Sequence, residues 1–362
     1  MSVDRTNSAQ QLSRNPRTAR ILSGFLLAIV FLLQGTAPVR SQSAASNKWT
    51  VTIILPAKVV AGRPATLAVL GVDGRLASDV TLDLGGGQRV VTDATGRASF
   101  TAPSAGSVLI AKGSGSSTAA LVDANPPENP EDAIWAAPVT SLHEPFSICG
   151  SRFRSDADAN HVRLNGEAAL VMASSPECLS VLPGPEAATG PAEISIQTAS
   201  GQWTAHTTLV SLEPQFPSPA LLPGQKGRLS VNARGTDQPL RIAVANETPG
   251  ILRFPKGDVQ ELLTSGGKEN CASLEVEAIR SGDFSLDARL LPSPDVNAAR
   301  RYLEAAAPLA EKPDEHEIDR LARGLGRNPR NLEGPRRDLD KIIIHTIEGD
   351  LRTILAAARA KL

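Results

Sequence analysis

From Trp49 to about Leu291 the sequence is a succession of short alternating apolar and polar segments closed by glycines and prolines. Apolar residues at every second position suit a strand with one buried face, and the breakers supply the turns, so this stretch points to many short β-strands. The 29 Gly and 27 Pro belong to that punctuation. A chain of 362 residues is too long for one hydrophobic core, and small sandwich modules put the count at about three.

The first module is expected over 49–124. Trp49, Val51, Ile53 and Leu55 share one face of its opening strand, and further strands are expected over 66–71, 80–84, 88–92, 97–101, 107–112 and 117–122. In Val91-Thr92-Asp93-Ala94-Thr95-Gly96-Arg97-Ala98-Ser99-Phe100, an Asp and a Gly flank a tight connection between two alternating strands. This stretch resembles the Thr-Asp-x-x-Gly-x-Ala-x-Phe turn of bacterial Ig-like repeats in surface and envelope proteins. A Pro-rich, acidic stretch, Asn125 to Asp132, is expected to be a semi-rigid linker within 125–136.

The second module, 137–213, carries Phe146-Ser147-Ile148-Cys149-Gly150-Ser151-Arg152-Phe153, Val162-Arg163-Leu164-Asn165-Gly166, Ser174-Ser175-Pro176 and Gly190-Pro191-Ala192-Glu193-Ile194-Ser195-Ile196. That order resembles the IPT/TIG family. The resemblance implies an Ig-like sandwich of the kind found in surface receptors, in carbohydrate-active enzymes and in some DNA-binding factors. A third Ig-like sandwich is expected over 214–292, with strands over 227–233, 239–245, 251–254 and 272–279 and an alternating segment from Phe284. The fold class is therefore mainly β: tandem immunoglobulin-like β-sandwiches with a C-terminal α-helical region over 295–362.

In that region the composition turns to Ala, Leu, Arg and Glu. Asp295 is placed to cap a helix to about Ala310, a second helix is expected over 315–325, and a long one from Gly334-Pro335 to the end. Ile344, Ile347, Leu351, Ile354 and Ala358 recur at three- and four-residue spacing along the last. This seam has two main readings: packing back on the rest of the chain, or pairing with a second copy or a partner helix. Mixed charge along it (Arg336, Arg337, Lys341 and Arg352 among Asp338, Asp340, Glu348 and Asp350) disfavours a membrane surface.

Residues 1–44 read as a signal peptide. Arg14, Arg17 and Arg20 precede an apolar run from Ile21 to Leu33, and small residues follow at Ser41, Ser43 and Ala44. The run falls short of the roughly 20 residues of a membrane span, so no stable insertion is expected after its removal. This segment holds five Arg against Asp4, a net +4, and its loss takes the chain from −1 to −5. An acidic exported chain lacks the electrostatic footprint of a nucleic-acid binder. An aromatic content of 3% disfavours stacking platforms for sugars or bases.

Cys149, Cys178 and Cys271 form no Cys-x-x-Cys pair. In an exported chain Cys149 and Cys178 are expected to form a disulfide, closing a loop of about 30 residues and contributing roughly 3 to 4 kcal/mol; two buried free thiols are the alternative. Asp156, Asp158, Asn160 and Glu167 fall at positions 1, 3, 5 and 12 of a calcium loop. His161 stands where that loop needs Gly, so a solvated polar loop is the alternative. The five histidines are scattered, and the sequence holds neither His-Glu-x-x-His nor Gly-x-Ser-x-Gly. Asn246-Glu247-Thr248 has the form of a glycosylation sequon, read as coincidence.

The expectation is a non-enzymatic, cofactor-free protein, periplasmic, secreted or at the cell surface, acting as a spacer and protein-binding module. Its expected partners are envelope or extracellular proteins, with self-association through the C-terminal helix as a further option. The alternatives are a carbohydrate-binding or accessory protein, and a structural subunit of an envelope assembly held by that helix.

Overall fold

The computed structural model describes residues 51–104, 108–126, 134–216, 221–327, 331–347 and 349–362. The expected signal peptide and most of the Pro-rich stretch lie outside these residues.

The first sandwich contains β1 (Thr52–Ile54), β2 (Val59–Val60), β3 (Pro64–Leu70), β4 (Thr81–Asp83), β5 (Arg89–Val91), β6 (Arg97–Thr101), β7 (Val108–Gly113) and β8 (Ser116–Asp123). One sheet pairs β1 with β3 and β3 with β6; the other runs β2-β8-β7-β4-β5. The chain's first edge is divided between the two sheets, β1 lying antiparallel on β3 and β2 parallel on β8. Leu67, Leu82, Leu109 and Val122 fill the space between them. This two-sheet, edge-switching arrangement is immunoglobulin-like. The Thr-Asp turn folds for a local reason: Asp93 Oδ1 accepts hydrogen bonds from the Thr95 backbone N–H at 2.8 Å and the Thr95 hydroxyl at 2.6 Å. Gly96 follows at φ +71°, where a Cβ would lie 2.6 Å from Leu76 Cβ.

The second sandwich adds β9 (Trp135–Ala136), β10 (Val139–Ser141), β11 (Phe146–Cys149), β12 (His161–Leu164), β13 (Glu167–Ser174), β14 (Cys178–Leu182), β15 (Gly190–Thr198) and β16 (Gly201–Gln215). β13 passes from one sheet, beside β12, to the other, beside β14. Asn165 and Gly166, both at positive φ, form the tight turn between β12 and β13. Cys149 and Cys178 stand opposite each other in β11 and β14 and are joined by a disulfide, so this bridge lies within one sheet.

β16 belongs to two sandwiches. Its first part pairs with β15 through Gly201 to Leu209, and its last part pairs with β17 (Lys226–Arg234) through Ser211 to Gln215. The handover falls at Val210, with no linker between. The third sandwich is completed by β18 (Arg241–Asn246), β19 (Leu252–Arg253), β20 (Val259–Leu263), β21 (Cys271–Ala278) and β22 (Leu286–Leu290). A sheet ordered β16-β17-β21-β19 covers a second ordered β20-β18-β22, around Leu229, Val231, Ile242 and Val244.

Four helices follow: α1 (Val296–Ala306), α2 (Lys312–Arg327), α3 (Glu333–His345) and α4 (Asp350–Ala360). Asp295 caps α1 as expected, its carboxylate accepting from the Ala298 N–H at 2.9 Å. The long terminal helix expected from Gly334 is broken in two. α3 ends at Thr346, which turns to an extended conformation, and α4 starts again after Gly349. The fold-back lets α4 pack on α1, placing Ile354, Leu355 and Ala358 in one core with Leu303 and Leu339.

Candidate functional site

The helices close back on the start of the chain. Val108, Ile110, Ala119 and Leu121, on the outer face of β7 and β8, pack against the helical core. Tyr302 donates a hydrogen bond from its hydroxyl to the Ala119 carbonyl at 3.1 Å, and Arg301 pairs with Asp123 at 2.6 Å. On α4, the Thr353 hydroxyl lies 2.7 Å from that of Ser117, and Asp350 pairs with Lys112. Burial pushes the Tyr302 hydroxyl up to about 12.

The helices also reach the third sandwich, through Glu261 of β20. Its carboxylate takes Arg359 at 2.8 Å, Arg241 at 3.3 Å and Arg336 at 3.5 Å, while Arg359 also holds Asp340 at 2.8 Å. Partial burial alone would raise the Glu261 carboxyl, but its bond to Arg359 and the three guanidinium charges outweigh it and hold the group below its usual range.

The first and second sandwiches meet at a junction centred on Arg97. The register of β13 shifts between Val171 and Ala173, a bulge that releases backbone groups from the ladder. Arg97, buried on β6, donates to the Val171 carbonyl at 2.7 Å and the Met172 carbonyl at 3.2 Å, and pairs with Asp158 at 2.9 Å. Around it Thr66 pairs with Ser174, the Ser175 hydroxyl donates to the Lys58 carbonyl at 2.7 Å, and Arg63 meets Glu177 at 2.9 Å. The Glu177 side chain is only 2% exposed, and burial raises its carboxyl despite Arg63.

That shift carries a sign. A carboxyl raised in the fold above its unfolded value of about 4.3 favours the folded state most at low pH, and the advantage is lost as pH rises through the raised value. The stability of the native chain relative to Glu177→Gln is therefore expected to be greatest at low pH and to fall as pH rises above about 4 in urea unfolding. Parallel pH profiles for the two proteins would show that Glu177 is not titrating out of its ordinary range.

The four residues of the calcium-loop pattern are not brought together around one point. Asp156 caps a short 3-10 turn by accepting from the Asp158 N–H, and Asp158 is paired with Arg97. Asn160 is buried, its amide oxygen accepting from the Arg154 N–H and its amide nitrogen donating to the Arg154 and Asp156 carbonyls. Glu167 stands exposed at the start of β13, beyond the intervening strand and turn. The four oxygen ligands are thus committed elsewhere or set apart. Among the described residues no group of three or more His, Cys, Asp or Glu side chains is placed to hold a metal. Asn246 of the sequon is also buried and donates to the Leu252 carbonyl at 2.6 Å, which takes it out of reach of glycosylation.

The five-residue seam expected along the terminal helix does not survive the break. Ile354 and Ala358 are core, Leu351 is half-buried against it, and Ile344 and Ile347 are 73% and 88% exposed at the elbow between α3 and α4. Next to that elbow lies an open cleft of about 700 Å³ between the β7–β8 turn and α4. Small side chains form most of its walls, among them Ser114, Ser116, Ala356 and Ala360, with Arg352 at its side.

No protein-family model matches the chain, and no curated protein matches it. Solved structures to which it is similar include SGBP-B of the Bacteroides ovatus mixed-linkage glucan utilization locus, in complex with a mixed-linkage heptasaccharide, at 14% identity and TM-score 0.18 over 71% of this chain and 63% of that one. Others are the N-terminal four Ig domains of Dscam1 isoform 6.9 (11% identity, TM-score 0.21, 65% and 73% covered) and the I9–I11 tandem of titin (11%, 0.17, 67% and 95%). At these scores the likeness carries no argument about ligand or activity. The immunoglobulin-like assignment rests on the strand pairing itself.

Proposed function

We propose that the chain is an exported, non-catalytic scaffold whose Ig-like sandwiches act together as a spacer and present protein-binding surfaces in the cell envelope or outside the cell. The observation that carries this reading is the closed sequence of contacts. The first sandwich is fixed to the second by Arg97, the second runs into the third through β16, and the helices tie the third back to the first through Glu261 and Tyr302. A rigid frame holds its exposed features at constant spacing, which suits a spacer and binding platform better than a flexible tether. Within this reading the second sandwich is an IPT/TIG-like module, and its disulfide fits an oxidising compartment.

The surface offered to partners is the elbow carrying Ile344 and Ile347 with the adjoining cleft. A photo-crosslinking residue at position 347, used in intact cells, is expected to capture envelope or exported proteins, and Ile344→Lys is expected to remove those adducts. Labelling confined to cytoplasmic proteins would overturn the reading. The carbohydrate-binding alternative has one observation in its favour: Phe216 and Phe284 form an edge-on pair 4.6 Å apart, and both are exposed. Retention on a polysaccharide column that is lost in Phe216→Ala would favour it. The third reading, an envelope subunit held by its terminal helix, is weakened because Ile354 and Ala358 are used within the chain.

A further inference from the structure

Among the described residues β20 ends the β20-β18-β22 sheet, with no strand paired on its other side. Asn246 donates its N–H to the Asp258 carbonyl at 2.7 Å and Thr264 donates to the Leu240 carbonyl at 2.9 Å, which fixes the hydrogen-bonding phase between β18 and β20. In an antiparallel ladder that phase alternates, so Asp258, Gln260, Leu262 and Thr264 turn their backbone groups toward β18. Val259, Glu261 and Leu263 turn theirs toward the free edge. The same three residues are exposed: Val259 is 62% and Leu263 66% exposed, two apolar side chains flanking a carboxylate.

We infer that β20 pairs with β20 of a second copy of this chain, antiparallel about a two-fold axis at Glu261. The occupant is a second copy because the edge is complementary to itself. With Glu261 opposite its symmetry mate, Val259 of each copy faces Leu263 of the other, and all three positions fall in the hydrogen-bonding phase at once. A slip of one residue would put the outward amides out of phase and the side chains on the wrong face. The two carboxylates at the axis meet like charge, but each already sits among Arg241, Arg336 and Arg359. The arrangement is an isologous interface, in which one patch serves both partners. Five residues from each copy make a contact smaller than a standard stable interface, so the pair forms only at high protein concentration.

The test is sedimentation equilibrium of the chain lacking residues 1–44, over a concentration series reaching the millimolar range, on three proteins: native, Val259→Lys with Leu263→Lys, and Ile344→Lys with Ile347→Lys. All four positions are exposed, and circular dichroism checks that each variant is folded. The native chain is expected to pass reversibly from monomer to dimer. The β20 variant should dimerise at least about tenfold more weakly, a difference of about 1.4 kcal/mol, and the elbow variant should match the native chain. A synthetic peptide of the sequence from Asp258 to Thr264, added in excess, should shift the native chain toward monomer. A chain that stays monomeric at every concentration would overturn the inference. So would a dimer that is lost in the elbow variant and kept in the β20 variant. Neither result bears on the capture of other proteins at the elbow, so this inference and the proposed function can fail separately.

Discussion

Replacing Arg97 by alanine is expected to destabilise the chain by about 3 kcal/mol, because it removes the group that closes the first sandwich onto the second. The cost is not the ion pair, since Asp158 is largely exposed and such a pair contributes little. It comes from the Val171 and Met172 carbonyls, which lose a charged donor in the interior of the junction. Arg97→Lys is expected to recover only part of the loss, because one ammonium on a flexible stem cannot reproduce the guanidinium fork. Urea unfolding of both variants beside the native protein checks this; a loss under about 1 kcal/mol for Arg97→Ala would show that water satisfies the two carbonyls.

A larger effect is expected from deleting residues 335–362. The deletion takes Leu339, Ile342, Ile354, Leu355 and Leu362, all buried, out of the helical core. At about 2 kcal/mol for each buried side chain, the loss is on the order of 10 kcal/mol, comparable to the whole stability of a domain. The remaining helices cannot hold their positions on β7 and β8, and Val108, Ile110, Ala119 and Leu121 become exposed. The expected result is loss of roughly the helical part of the circular dichroism signal, binding of a hydrophobic dye and concentration-dependent aggregation. A truncated protein that kept α1 and α2 folded, with no dye binding, would show that these two helices dock without α3 and α4.

Much of the fold was legible because a strand with one buried face records its burial in its own sequence. The alternation in 97–101 and 190–198 and the Asn165-Gly166 turn needed no partner to be recognised. β20 was missed for the converse reason. Gln260-Glu261-Leu262-Leu263 are good helix formers, and a free edge strand with its outer face in water gives little alternation to read. The break at Thr346 was missed because the apolar period runs on through Ile347 and Leu351 without regard to whether the helix continues. The groups that unite the molecule were beyond the sequence for another reason. Arg97 meets Met172 across 75 residues and Arg359 meets Glu261 across 98, and nothing in the local pattern of either partner signals the other. The disulfide was legible only as an expectation from compartment and cysteine number.

The helices close the chain by seating on the first sandwich. Tyr302, the one tyrosine in the sequence, reports on that contact through its hydrogen bond to Ala119. A hydroxyl whose folded value is raised stabilises the fold below its ordinary value near 10 and loses that contribution as pH climbs toward about 12. Titration of the phenolate by near-ultraviolet absorbance is therefore expected to give a midpoint close to 12, while Tyr302 ionises near 10 in the urea-unfolded chain. A midpoint near 10 in the folded protein would contradict the account, because it would place Tyr302 in water and the helices away from β8.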